Sequence, residues 1–221
     1  MDVRGVLFDF GNTLFAHAPL ATTISECARR LGVPMSDEQA TDLADRIDAA
    51  AMTPDELAYV RDLDAAVWGR RWKVLYAIAD EWVALLGDAI NTDMHDPLAW
   101  VPYTRSGETL RRLRESGVPV GIVSNTGWDV RAVFAAHSMS DFVTSFTLSY
   151  EAGAVKPDNK IFRAACDSLC LEPSEVLMVG DDPRADSGAV LSGIRTLLLP
   201  AQPPHTDNGI ATVLDIVGRG A

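Results

Sequence analysis

The sequence predicts an α/β fold: a Rossmann-like parallel sheet core with helices on both faces and an inserted α-helical cap subdomain. Three observations predict it. From Val101 onward, short apolar runs alternate with helical segments, which is the pattern of βαβ units and a parallel sheet. An early run, Val3 to Asp9, has the same buried-strand character, with no helical period. Between the two, residues 17–100 are rich in Ala, Asp, Arg and Leu and read as helical throughout. The expected division is residues 1–16 plus 101–221 as the core, and 17–100 as a cap inserted after the first strand. A chain of 221 residues has room for that arrangement.

Inside the helical span, Ser36 with Gln39 three residues later forms a capping-box start. Leu43, Ile47 and Ala50 then recur on one face. Pro54 suits a first helical position, and that region reads on through Trp68, Trp72 and Tyr76 towards Gly87, with a break near Gly69. In the core, a helix over 106–115 stops at Gly117. A strand over 118–123 and a helix over 129–137 follow. Residues 142–148 are a weaker strand candidate, and 157–169 form a helix. Residues 176–179 are a strand. A helix then runs to Leu191 and is closed by Gly193, and 194–199 are the last strand. Pro200 to Gly209 is a polar loop before a short terminal element.

Acidic residues number 31 against 19 basic ones, for a net charge of −12, so the chain repels nucleic acid and anionic membrane surfaces. No apolar run reaches the length of a membrane span, and Asp9 interrupts the only stretch resembling a signal sequence. Cys27, Cys166 and Cys170 make no disulfide framework. Cys166 and Cys170 lie one helical turn apart without two further metal ligands, so core packing is the preferred reading. A reducing cytoplasm is the expected compartment.

In open parallel sheets the ligand sits beyond the carboxyl ends of the strands. Four such ends carry polar groups: Asp9, then Ser124 with Asn125, then Lys156, then Asp181 and Asp182 with Asp186 a turn later. Singly each is a helix cap or a solvated side chain. Together, the Asp9…Thr13 segment, Ser124, Lys156-Pro157, and Gly180-Asp181-Asp182 with Asp186 resemble the haloacid dehalogenase superfamily of hydrolases, most of which are phosphatases. The tail SGAVLSGIRTLLL is also typical of that family.

The resemblance implies a hydrolase acting on a small phosphorylated molecule, with no nucleic acid or membrane partner and with monomer or homodimer left open. Asp9 is then the nucleophile that forms an aspartyl-phosphate. Mg2+ is held by Asp9, the Gly11 carbonyl and Asp181, with Asp182 or Asp186 contributing directly or through water. Ser124 hydrogen-bonds a phosphoryl oxygen, and Lys156 neutralises charge beside Asp9. Thr13, Asn125 and Trp128 are expected against the substrate, Trp128 at the entrance.

One position departs from the family pattern. Two residues after the nucleophile, family phosphatases usually carry an Asp that serves as general acid and base; here it is Gly11. That leaves several readings open: a phosphatase, with His17 as a stand-in acid; a metal-independent 2-haloacid dehalogenase, with Arg29, Arg30 or Arg46 as anchor; a phosphonoacetaldehyde hydrolase-like enzyme using Lys73; or a non-catalytic binding protein. In the cap, Trp68, Trp72 and Tyr76 recur every four residues, which reads as core packing or a dimer face before a substrate box. Arg70, Arg71 and Lys73 read as a solvated basic face.

Overall fold

The structure is a computed structural model that describes residues 2–218. In chain order the strands are β1 (Gly5–Phe8), β2 (Phe15–His17), β3 (Trp100–Pro102), β4 (Val120–Ser124), β5 (Ser145–Leu148), β6 (Val176–Gly180) and β7 (Arg195–Leu198). The helices are α1 (Leu20–Arg30), α2 (Asp37–Ala51), α3 (Pro54–Leu57), α4 (Ala65–Tyr76), α5 (Leu86–Met94), α6 (Ser106–Glu115), α7 (Arg131–Ala136), α8 (Ser149–Ala152), α9 (Asn159–Leu169) and α10 (Thr212–Gly218). Five strands form the central sheet in the order β5-β4-β1-β6-β7, each paired in parallel with its neighbour.

Parallel strands covered on both faces read as continuous apolar runs. Every residue of β1, β4 and β6 is accordingly buried. Side chains alternate between the faces. Val6, Phe8, Leu177 and Val179 join one apolar cluster, with Leu110 and Leu113 of α6, Phe134 of α7 and Val213 of α10. Leu7, Val176 and Met178 join the other, with Ile161, Phe162 and Cys166 of α9. Helices therefore cover both faces, as the sequence predicts. Truncating a fully buried ring such as Phe8 or Phe134 costs about 3–5 kcal/mol.

A third apolar cluster lies apart from the sheet. It gathers Ile24 and Cys27 of α1, Leu43 and Ile47 of α2, Leu75 and Tyr76 of α4, and Leu86 and Ile90 of α5. The capping box at Ser36 and Gln39 is formed, and Pro54 opens α3. The expected break at Gly69 is absent, because α4 runs through it. The chain breaks instead on either side. Val60 takes a positive φ of 43° before a short 3₁₀ turn over Arg61–Leu63, and Asp64 caps α4. A second 3₁₀ turn over Ala77–Glu81 ends α4.

The span 17–100 is also not helical to its ends: β2 and β3 pair antiparallel across its two boundaries. Residues 186–192 form a 3₁₀ helix instead of the expected α-helix, closed at Gly193 with φ +84°. Cys166 is buried in the core while Cys170 is exposed at the end of α9. Among the described residues, no helix is long and apolar enough to cross a membrane.

Candidate active site

Strand β1 pairs with both β4 and β6, so their carboxyl ends lie side by side. That adjacency brings Asp9, Ser124 and Asp181 together from residues more than 170 apart in the chain. Lys156 reaches the same place from the loop after α8. Its ammonium Nζ lies 2.7 Å from Asp9 Oδ1 and 2.6 Å from Asp186 Oδ1. The three groups are almost sealed from water, with side-chain exposures of 2% for Lys156, 0% for Asp186 and 14% for Asp9. Burial works against the Lys156 charge, but the two carboxylates outweigh it and hold the lysine above its ordinary pKa. Burial pushes the Asp9 carboxyl up to about 6, against the pull of Lys156.

Asp186 is an organising residue. Its Oδ1 accepts from Lys156, and its Oδ2 accepts the backbone N–H groups of Asp181 and Asp182, both at 3.0 Å. The carboxylate lies so close to the end of β6 that a Cβ on Gly180 would stand 2.1 Å from its Oδ2. Only glycine fits there. Asp181 is oriented by Thr13, whose hydroxyl donates to its carboxylate at 3.1 Å. Burial raises the Asp181 carboxyl, with the Thr13 hydrogen bond opposing it. The Thr13 carbonyl in turn accepts from Asn208 Nδ2 at 2.9 Å.

One oxygen each from Asp9, Asp181 and Asp186 lies within 4.8 Å of the other two. Three hard carboxylate donors in one cluster fit a small divalent cation such as Mg2+. Asp182 is outside that cluster. It is exposed, and its carboxylate accepts the Arg184 N–H at 2.7 Å.

Above these groups lies a cavity of about 450 Å3. Asp9, Gly11, Ser124, Asn125, Lys156 and Asp182 line its polar end. Asp62, Trp68, Trp72, Tyr76, Met94, His95, Trp100 and Trp128 line the rest. Tyr76 belongs to the helical cluster and Trp72 packs against it, as the core reading expects, and both residues, with Trp68, also line the cavity. Trp72 and Tyr76 stack at 5.2 Å, and Trp68 and Trp72 stand 5.6 Å apart. Trp128 is at the cavity wall, 6.2 Å from Trp100.

The helical part closes directly on the core. Gly127 lets Trp68 lie against it, since a Cβ there would come within 2.2 Å of Trp68 Cβ. Ser149 Oγ accepts the Thr126 N–H at 2.9 Å and donates to the Asp62 carbonyl at 2.6 Å.

Three of the expected substrate contacts are placed differently from one another. Trp128 faces the cavity. Asn125 borders it, but its amide is turned to the Lys156 backbone: Nδ2 donates to the Lys156 carbonyl at 2.9 Å, and Oδ1 accepts the Lys156 N–H at 2.7 Å. Thr13 is fully buried under Asp181 and does not line the cavity.

The stand-in residues considered for other readings lie elsewhere. His17 packs on Trp100 at 5.3 Å and is not among the lining residues. Arg30 pairs with Asp93 at 2.7 Å and Arg46 with Glu81. Lys73 is exposed and pairs with Asp88 at 3.1 Å. Arg71 pairs with Glu56 at 2.5 Å. None of them, nor Arg29 or Arg70, lines the cavity.

Sequence reasoning did not single out Asp62 and His95. A lone Asp after an arginine and a lone His at a helix end carry no pattern. Only the fold of residues 58–64 brings Asp62 to the cavity.

The chain belongs to the haloacid dehalogenase-like hydrolase family, whose model matches residues 3–191. It is 29% identical over 209 residues to ribulose-1,5-bisphosphate 5-phosphatase of Halopiger xanaduensis, covering 87% of this chain and 83% of that protein. Among solved structures, a HAD phosphatase from Thermococcus onnurineus matches with a TM-score of 0.65 and 22% identity over 99% of this chain and 98% of that one. A 2-haloacid dehalogenase from Pseudomonas syringae pv. Tomato matches with a TM-score of 0.66 and 20% identity over 99% of this chain and the whole of the other. The chain is therefore a hydrolase of this family with its Rossmann-like fold.

Proposed function

We propose that this hydrolase is a Mg2+-dependent phosphatase that acts on a small phosphomonoester through an aspartyl-phosphate on Asp9. The observation that carries the reading is the cluster of Asp9, Asp181 and Asp186 around Lys156 at the polar end of the cavity. A dianionic phosphoryl group cannot approach an uncompensated carboxylate. Asp9, Asp181 and Asp186 would hold Mg2+, which when bound supplies the positive charge that brings phosphate and carboxylate together.

The chain's own residues do the rest. Lys156 takes one oxygen of Asp9 and leaves the other free to attack phosphorus. The phosphorus–oxygen bond to the leaving group breaks, and its electron pair departs on that oxygen. Water then attacks the phosphorus of the aspartyl-phosphate, restoring the Asp9 carboxylate and releasing inorganic phosphate. Ser124, buried at the end of β4 and lining the cavity, would donate to a phosphoryl oxygen. Residues 17–100 act as a cap: with Trp68 on Gly127 they exclude water and select what accompanies the phosphate.

A dehalogenase reading, which Gly11 leaves open, would place the haloacid's own carboxylate beside a free cation. The only cationic side chain lining the cavity, among the described residues, is Lys156, and Asp9 and Asp186 already hold it. That favours the phosphatase.

A panel of phosphomonoesters, assayed with Mg2+ and again with EDTA, tests the proposal. Phosphate release that EDTA abolishes is the expected result. Release that is indifferent to EDTA, or halide release from haloacids with no phosphate release, would sink it.

A further inference from the structure

The cavity is unlike one built for a second anionic group. Beyond the phosphoryl end its walls are the rings of Trp68, Trp72, Tyr76, Trp100 and Trp128. The charged side chain there is Asp62, a carboxylate. Arg61, next in sequence, is turned away: its guanidinium lies 4.8 Å over the Trp72 ring, 3.6 Å from Glu56, and donates to the Ala51 carbonyl. Aromatic faces carry the negative side of the ring quadrupole. A leaving group bearing a carboxylate or a second phosphate would meet aromatic faces and Asp62, with no free lysine or arginine among the described lining residues. A flat uncharged ring would stack.

A second, independent observation concerns the leaving oxygen. Gly11 supplies no acid, His17 does not line the cavity, and His95 is engaged on both ring nitrogens. His95 Nδ1 stands 2.7 Å from the Asn91 carbonyl, so Nδ1 carries the proton, and Nε2 accepts the Trp68 indole N–H at 3.4 Å. The Nδ1 proton is thus held by a backbone carbonyl, and Nε2 is taken up as an acceptor. An oxygen that departs unprotonated must be a weak base. A phenol ionises near pKa 10, roughly six units below the hydroxyl of water, which is close to that of a simple alcohol.

We propose that the natural substrate is a small aryl phosphomonoester whose ring carries no anionic substituent, the ring stacking among Trp68, Trp72 and Trp128 and leaving as a phenolate. This rests on the phosphatase reading above. The phosphorus–oxygen bond breaks toward the aryl oxygen, which takes its proton from solvent after departure. Asp62 in the cavity lining discriminates against anionic rings.

The test compares kcat/KM for phenyl phosphate, benzyl phosphate, 4-carboxyphenyl phosphate and acetyl phosphate in the wild type and in Trp72→Ala and Asp62→Asn. Benzyl phosphate keeps a ring but leaves as an alkoxide. It is expected to fall at least ~100-fold below phenyl phosphate, the scale of an absent general acid. The carboxylated ring is expected well below phenyl phosphate in the wild type, with the gap narrowing in Asp62→Asn. Trp72→Ala is expected to raise KM for phenyl phosphate by a larger factor than for acetyl phosphate, which has a good leaving group and no ring.

Benzyl phosphate matching phenyl phosphate would overturn the proposal, as would a preference for the carboxylated ring. So would turnover of acetyl phosphate alone, although that outcome leaves the phosphatase reading standing. No phosphate from any of the four, with Mg2+ present, would remove both. Loss confined to benzyl phosphate in Asp62→Asn would identify Asp62 as an acid and also contradict the proposal.

Discussion

Asn125 grips Lys156 by the backbone at both ends of one peptide unit pair: its amide donates to the Lys156 carbonyl at 2.9 Å and accepts the Lys156 N–H at 2.7 Å. A lysine side chain has four rotatable bonds, so the position of its ammonium depends on how firmly its backbone is held. Asn125→Ala removes both hydrogen bonds and leaves two largely buried backbone groups unpaired. The expected cost is about 1–3 kcal/mol of stability, with kcat falling about 10- to 100-fold, the scale of a misplaced catalytic group. KM changes little, because Asn125 itself is occupied. Steady-state kinetics settles the point: a KM defect with normal kcat would show that Asn125 binds substrate directly.

The closure of the helical part rests on the absence of a side chain at Gly127. A Cβ there would lie 2.2 Å from Trp68 Cβ, a contact that requires the two segments to separate. Gly127→Ala should raise KM several-fold and red-shift the tryptophan emission as Trp68 gains water, while Tm stays within a few degrees. An unshifted spectrum with unchanged KM would mean that closure does not depend on this contact.

Gly11 has room for the acid it lacks. A Cβ built on it meets only the Trp100 ring, at 3.6 Å and 4.0 Å, ordinary van der Waals separations. Gly11→Asp is therefore expected to fold. It should raise kcat/KM for alkyl phosphates by about 10- to 100-fold or more, the contribution typical of a positioned general acid, with little gain for aryl phosphates. A leaving-group series measures this as a flatter dependence on leaving-group pKa. An unchanged slope would show that proton supply does not limit the wild type.

Glu56 ties the 3₁₀ turn carrying Asp62 to α4. It is buried, accepts from Arg71 at 2.5 Å and faces Arg61 at 3.6 Å. The Arg71 hydrogen bond holds the Glu56 carboxyl below the usual carboxylate range. A depressed folded value means that the stabilisation is present above the unfolded glutamate pKa near 4.3 and disappears as pH falls through the lower folded value. Glu56→Gln should thus be less stable than wild type by about 1–3 kcal/mol at pH 7. The gap should narrow as pH falls below the unfolded value of about 4.3 and close as it passes through the lower folded value. Urea midpoints across pH 3–7 give the answer, and a gap independent of pH would contradict the assignment.

The core was legible because of how parallel sheets are built. A strand covered on both faces is an unbroken apolar run, so one polar residue at its carboxyl end stands out. That is why Asp9, Ser124 and Asp181 could be named before the structure, and why β1, β4 and β6 fall within a residue or two of expectation. The helical insertion was less readable. Trp68, Trp72 and Tyr76 share a helix face whatever lies opposite, and spacing alone does not say whether that face meets a core, a second copy or a cavity. The break over residues 58–64 has no glycine or proline to mark it, yet it brings Asp62 to the cavity. The antiparallel pair β2 and β3 is too short to carry a period. Residues 186–192 follow a helical pattern, but Asp186 is pulled back to the backbone of Asp181 and Asp182, and the turn tightens to 3₁₀.

Central to the account is Asp9 as nucleophile. The most direct measurement is Mg2+-supported phosphate release from p-nitrophenyl phosphate by wild type and Asp9→Asn, with folding of both matched by circular dichroism. Asp9→Asn should fold and lose activity on the order of 10⁴-fold or more, as for removal of a nucleophile that acts with its partners as a unit. A folded Asp9→Asn protein releasing phosphate at the wild-type rate would contradict it.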